Sequence, residues 1–121
     1  MSGKSILLAG ALLAATGVTL GAFGAHTLGD TLGERQMGWW ETAVQYQMWH
    51  AVALVAIAAL PMRRTGLAAA CLALGAGIFS GTLYVMALTG FRWLGMITPL
   101  GGILMIAGWL LLAWRGFFTR R

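Results

Sequence analysis

Eight polar side chains stand out in this chain: His26, Glu41, Gln45, Tyr46, His50, Tyr84, Arg92 and Thr98. All lie at or near the ends of long apolar runs. Two histidines could ligate a haem or a metal. A histidine or a glutamate could carry a proton. Glutamine, tyrosine, threonine and arginine could hold a lipid headgroup, or could hydrogen-bond one helix to another. Spacing narrows the choice. Glu41 and Gln45 are i, i+4 neighbours on a helix, as are Tyr46 and His50, and Gln47 and His50 are i, i+3 neighbours. Polar side chains in or near hydrocarbon are costly and turn toward a bundle interior. His26, Gln45, His50 and Tyr84 are therefore expected to share one interior polar network, with Glu41 and Arg92 placed for an ion pair. The simplest role for such a network is glue between helices; a small-molecule or lipid site comes next, and catalysis or transport last.

The stronger chemistries lack parts. On a helical reading His26 sits near one end of its run, and His50 lies roughly 13 Å deeper in the next, which does not suit paired axial ligation of a haem. No third zinc ligand stands near either histidine. GxSxG, HExxH and P-loop motifs are absent. The carboxylates are Asp30, Glu34 and Glu41 alone, all in or beside one loop. A proton-coupled exporter is expected to carry an acid within a span, so that reading, with His50 or Glu41 as the coupling group, is weakened. The sequence predicts no catalytic residue, metal or cofactor. The single cysteine, Cys71, excludes an internal disulfide and reads as a small packing residue.

The elements that must position these residues follow from the charges. Residues are 60% hydrophobic and only 9% charged over 121 positions, far from the balance of a soluble domain. The charges punctuate apolar stretches whose predicted spans are 6–28, 42–60, 67–89 and 93–116. Each has about 20 residues, enough for a helix to cross ~30 Å of hydrocarbon. The fold expected is all-α: one polytopic domain over residues 1–121 with four transmembrane helices. Lys4 ahead of the first run and Ala22-Phe23-Gly24 after it resemble a cleaved leader, but the run is longer than a usual leader core, so a retained helix is expected.

With four crossings, Lys4, Arg63, Arg64, Arg115, Arg120 and Arg121 fall on one side and Arg35 and Arg92 on the other. The positive-inside rule then places both termini in the cytoplasm and the 31–41 loop and the 90–92 turn outside. This geometry explains the net charge of +5 without nucleic acid. Trp39, Trp40 and Trp93 fall near the outer boundary and Trp109 and Trp114 near the inner one, as an aromatic belt does. Trp49 lies deeper and reads as a packing residue.

Small residues mark packing seams. Gly3, Gly10, Ala14, Gly17, Gly21 and Gly24 line the first helix; Gly66, Ala70, Ala73, Gly77 and Gly81 line the third, with Gly77 and Gly81 forming a GxxxG. Such seams let membrane helices approach closely. In Thr98-Pro99-Leu100-Gly101-Gly102, Pro99 either kinks the fourth helix or starts it behind a Thr98 cap. The second alternative leaves 91–97 as a tucked irregular segment at the outer face.

Several motifs now stand in order along the chain: Gly21-Ala22-Phe23-Gly24-Ala25-His26; Thr42-Ala43-Val44-Gln45-Tyr46-Gln47 with His50; Phe79-Ser80-Gly81-Thr82-Leu83-Tyr84; and Arg92-Trp93-Leu94-Gly95 followed by Thr98-Pro99-Leu100-Gly101-Gly102. In this the chain resembles the YgdD/YwdK-like family of small four-helix inner-membrane proteins. The resemblance implies a multi-pass protein of the bacterial inner membrane and brings no activity, substrate or cofactor with it. The functional expectation is a non-enzymatic structural or accessory membrane component, surrounded by membrane lipids and engaged with a larger membrane complex or a homo-oligomer. The alternatives are a lipid- or quinone-binding module at the outer half of the bundle, bordered by Trp40, Trp93, Arg92 and the start of the fourth helix, and a small proton-coupled transporter.

Overall fold

The computed structural model describes residues 1–61 and 64–118; Arg63, Arg120 and Arg121, which entered the charge tally, lie outside them. The described chain is helical. Its elements are α1 (Gly3–His26), α2 (Glu34–Ala59), α3 (Gly66–Thr89) and α4 (Thr98–Phe118), with short 3-10 turns at Leu28–Asp30 and Arg92–Met96. Local chemistry sets the ends. The Ser2 hydroxyl accepts from Ser5 N at 3.2 Å and caps α1. Leu60 precedes Pro61 and is extended (φ −74°, ψ 139°), because proline disfavours helical geometry in the residue before it. Gly90 ends α3 in the left-handed region (φ 76°), with its N–H returning to Met86 O at 2.8 Å. Helix α4 begins at Thr98 with Pro99 second, so Pro99 starts the helix and does not kink it.

Two boundaries differ from the sequence-based spans. Helix α2 starts at Glu34, eight positions before residue 42, so most of the 31–41 loop is helix. Its first two turns carry Glu34, Arg35 and Glu41, charges that end an apolar run but not a helix. The segment before α4 is a 3-10 turn with Arg92, Trp93 and Met96 exposed; it lies on the surface and is not tucked in.

Helices α2 and α3 form the centre. Helix α1 packs antiparallel on α2, and α4 antiparallel on α3; α1 and α4 form no packed pair among the described residues. Near the chain's N-terminal end, Ile6, Leu54, Ile57, Ala69 and Leu72 make one core cluster. At the opposite end Leu28, Trp40 and Ala87 make a second, and Ala43, Leu83 and Met86 a third. Helices α1 and α3, and the segment Arg92–Phe118, are long and apolar enough to cross a membrane. Helix α2 is as long, but Gln45, Gln47 and His50 lower its apolar character.

The glycine seam of α1 packs as expected from Gly10 to Gly24, whereas Gly3 is exposed with nothing within 4 Å of an added Cβ. Gly10, Gly17 and Gly24 are buried against α2, where an added Cβ would meet Ala51 O and Val55, Met48 and Trp40 in turn. The α3 seam is different. Gly77 and Gly81 face open space, with nothing within 4 Å of an added Cβ. The close approach is made instead by Gly75, which meets Gly101 and Met105 of α4, while Gly108 meets Leu72 and Ala68 O. The reason is that α3 must serve two neighbours. Its buried positions Ala68, Ala69, Leu72, Gly75, Ala76, Ser80, Leu83, Met86 and Ala87 already fill the faces toward α2 and α4, and the 77/81 face is left over.

Candidate functional site

The inward face of α2 decides which polar residues meet. Trp40, Ala43, Gln47, His50, Leu54 and Ile57 are buried on it, at the three- and four-residue steps of one helical stripe. Gln47, not Gln45, is therefore the interior glutamine. Its Nε2 donates to Leu13 O at 2.9 Å and to Thr16 Oγ1 at 2.8 Å, both on α1. Its Oε1 accepts from Tyr84 OH of α3 at 2.6 Å. One side chain thus ties three helices together. Trp40 Nε1 adds a donation to Leu20 O at 2.9 Å, and its ring meets Tyr84 edge-on at 4.7 Å.

His50, one turn along, faces α4. Trp109 Nε1 lies 3.0 Å from His50 Nε2, and His50 Nδ1 lies 2.8 Å from Tyr46 O. An indole N–H only donates. Nε2 must then be the acceptor, Nδ1 carries the proton, and it donates to the Tyr46 carbonyl. This geometry assigns a neutral His50 with both nitrogens engaged. Tyr46, Phe79, Met105 and Trp109 line a groove of about 270 Å³ beside it.

Shorter links complete the layer. Ser80 Oγ donates to Ala43 O at 2.7 Å, joining α3 to α2. Thr82 and Thr98 hydroxyls lie 2.7 Å apart, joining α3 to α4, and Thr98 Oγ1 also donates to Leu94 O at 3.2 Å. The Thr98 hydroxyl is thus spent on a crossing and does not cap its helix. Gln36 Nε2 reaches Ala87 O at 2.8 Å. Among the described residues, no buried side-chain nitrogen or oxygen lacks a partner.

The eight residues singled out by sequence do not form one network. Tyr46 and His50 are together, Tyr84 joins Gln47, and Thr98 joins Thr82. His26 is exposed at the last position of α1, far from His50's inward face. Glu41 and Gln45 are exposed and line a groove of about 270 Å³ between α1 and α2 with Gly21, Gly24 and Trp40. Arg92 lines a different groove, about 210 Å³, with Arg35, Gln36 and Trp39. Glu41 and Arg92 therefore face different grooves, on different sides of α2, and do not form the expected pair. Trp40 is 3% exposed and Trp93 60%, so they do not border one pocket. Trp49, expected to pack, is 57% exposed, because it lies off the 40/43/47/50/54 stripe, its ring tilted against that of Tyr46 with centroids 5.1 Å apart. Among the described residues, no group of three or more His, Cys, Asp or Glu side chains lies together to hold a metal.

Gln47, Thr16, Ser80, Thr82 and Trp109 are the members that residue type alone did not single out. For Gln47 the signal was there: it stands seven residues after Trp40 and seven before Leu54. For Trp109 no signal existed within α4, since its partner lies 59 positions away.

Apolar helices joined by internally paired polar side chains define an integral α-helical membrane protein. The chain belongs to the DUF423 family, described as protein of unknown function, whose profile matches residues 20–102. A UPF0382 membrane protein of Staphylococcus haemolyticus is 46% identical over 112 residues, 90% of this chain and 92% of that one. The UPF0382 inner membrane protein YgdD of Escherichia coli is 39% identical over 116 residues, 93% of this chain and 88% of that one. A UPF0382 membrane protein of Staphylococcus saprophyticus is 42% identical over 112 residues, 90% of this chain and 93% of that one. No solved structure matches the chain. The family and the apolar helices together make this a bacterial membrane protein.

Proposed function

We propose that this protein is a non-enzymatic structural or accessory component of the bacterial inner membrane. It spans four times, with both termini cytoplasmic, and acts with a larger membrane complex or as a homo-oligomer. One observation carries the reading: the buried polar side chains are spent on hydrogen bonds within the bundle, most of them to neighbouring helices. Gln47 uses both ends of its amide and His50 both ring nitrogens, which favours glue over chemistry. A coupling histidine needs a nitrogen that can exchange a proton, and His50 offers none without breaking the Trp109 or Tyr46 link.

The fourth crossing is supported by packing. Helix α2 runs antiparallel between α1 and α3; its polar residues Gln47 and His50 face inward, and Trp49 and Val52 face outward. Lys4, Arg64 and Arg115 at one end, against Arg35 and Arg92 at the other, support the orientation.

A second reading, a lipid or quinone headgroup in the α1–α2 groove, has exposed Glu41 and Gln45 in its favour. At about 270 Å³ the groove falls just short of the ~300–1,000 Å³ usual for ligand pockets, and it ranks second for that reason.

The test is native mass spectrometry of gently extracted protein, paired with proteoliposome flux. The expected result is a partner chain or homo-oligomer, with no proton-driven flux in wild type. A proton-dependent flux abolished by His50→Ala or Glu41→Gln overturns the structural reading. Orientation is read from a cysteine introduced at Gly33: labelling only from the cytoplasmic side reverses it.

A further inference from the structure

A separate cavity lies away from the polar layer, at the opposite end of the bundle from the acidic loop. It holds about 540 Å³ and is walled by Gly3 of α1, Ile57 of α2, Arg64 and Thr65 of the α2–α3 turn, Gly66 of α3 and Arg115 of α4. Three separate stretches of chain thus bring two guanidinium groups to one hollow. Nothing in the proposed structural role uses it.

Its charge is unbalanced. The acidic residues of the sequence are Asp30, Glu34 and Glu41. From Glu41 to the end of α2 at Ala59 the helix rises roughly 27 Å, so no acidic side chain of the chain reaches this end. Arg64 adopts a left-handed conformation (φ 61°), which non-glycine residues rarely take. Thr65 is only 8% exposed and lines the cavity. It stands at the N-cap of α3 yet its side chain makes no capping bond. The positive end of the α3 dipole adds to the same field. Guanidinium forks match phosphate oxygens and bind them with charge-assisted hydrogen bonds. The wall is mixed: Ile57, Leu60 and Leu67 supply apolar surface beside the arginines, and Leu67 is exposed to the surroundings of the bundle.

We propose that this cavity binds a phosphate-bearing anionic group between Arg64 and Arg115, as an anionic phospholipid headgroup or as free phosphate. The apolar wall at Ile57 and Leu67 gives the first stretch of an acyl chain a path out along α3. The site is independent of whether the polar layer is structural, so either reading can fail alone.

The test uses the full chain in mild detergent. Phosphatidylglycerol, phosphatidylcholine and inorganic phosphate are titrated in turn, read by native mass spectrometry and by thermal unfolding. Wild type is expected to hold one phosphatidylglycerol in preference to phosphatidylcholine. The Arg64→Gln/Arg115→Gln double variant is expected to lose that binding by at least about tenfold, as two charge-assisted contacts require. An Arg35→Gln/Arg92→Gln double variant, altered at the other end, is expected to bind as wild type. Inorganic phosphate that raises the unfolding temperature and displaces the lipid assigns the site to phosphate as such; stabilisation by phosphatidylglycerol alone assigns it to the lipid. An Arg64→Lys/Arg115→Lys variant keeps the charge and separates lost binding from lost folding, since it is expected to bind more weakly than wild type but more tightly than the Arg→Gln double variant. Equal binding of phosphatidylglycerol by wild type and the Arg→Gln double variant, or no preference over phosphatidylcholine together with no response to phosphate, overturns the proposal.

Discussion

The two outer helices are held to the central pair in different ways. Helix α1 offers glycines at a seven-residue repeat, Gly10, Gly17 and Gly24, and α2 fills the groove with the side chains of Val55, Met48 and Trp40. Between α3 and α4 the contact is backbone on backbone. A Cβ on Gly101 would lie 2.5 Å from Phe79 N and 2.7 Å from Gly75 O, and one on Gly75 would lie 2.7 Å from Gly101 O. A side chain in a groove can rotate away from an intruding methyl; a helix backbone cannot. Close packing is the chief attraction between membrane helices, so the second interface is the tighter and the less tolerant of the two.

That difference sets an order of expected effects. Gly101→Ala comes first. Separating two backbones to admit a methyl is expected to cost about 3 kcal/mol, at the upper end of ordinary overpacking. Reversible unfolding in mixed micelles measures it, and a variant as stable as wild type would mean that α3 and α4 are not in contact at this point. Gly10→Ala follows at about 2 kcal/mol, because its Cβ would meet Ala51 O at 2.9 Å as well as the Val55 methyl. Gly17→Ala is milder although its added Cβ would come closer to a neighbour, 2.5 Å from Met48 Sδ, since a thioether chain is flexible and can move aside. If Gly17→Ala costs more than Gly10→Ala, the distinction between rigid and yielding neighbours fails.

Next come the hydrogen bonds across α1, α2 and α3. Gln47→Leu removes three contacts at once and leaves Tyr84 OH without its partner. Hydrogen bonds between membrane helices average about 0.6 kcal/mol each, so a loss of ~1–2 kcal/mol is expected. Tyr84→Phe removes one contact and is expected to cost about 0.6 kcal/mol. A double-mutant cycle between the two positions checks the link; additive losses would show that the 2.6 Å contact contributes nothing.

The same contrast explains what could be read in the sequence. The α1 seam was legible because its whole repeat sits on one helix, and burial of Gly10, Gly17 and Gly24 against α2 follows from it. The α3–α4 seam was not, because it needs Gly75 from one helix and Gly101 and Gly108 from another, and no single-helix pattern joins them. Helix number and type were legible from apolar length, whereas the start of α2 was not, since a charged turn such as Glu34–Glu41 can continue a helix past the hydrocarbon. The polar layer was half legible. His50, Tyr46 and Tyr84 are in it, but Gln45 and Gln47 are two residues apart and only the phase of the Trp40–Ala43–Gln47–Leu54 stripe tells which turns inward. His26 and Arg92 are polar residues at helix ends, where water or headgroups satisfy them and no inward turn is needed.

The smallest expected effect is the sharpest check on that account. Gly77→Ala alters the one GxxxG in α3, the motif that a sequence reading would protect first. In the structure a Cβ there meets nothing within 4 Å, so the methyl enters open space on the outward face of α3. Alanine is also the better helix former, by about 1 kcal/mol in water, and less in a bilayer where the backbone has no water to bond. The variant is therefore expected to unfold at the wild-type midpoint or slightly above it, while Gly75→Ala, two residues away, unfolds well below. Loss of stability in Gly77→Ala that depends on protein concentration would instead mean that a second chain covers this face. Loss that does not depend on concentration would mean that α4 crosses α3 on the 77/81 side, and the assignment of the tight interface to Gly75 and Gly101 would fall.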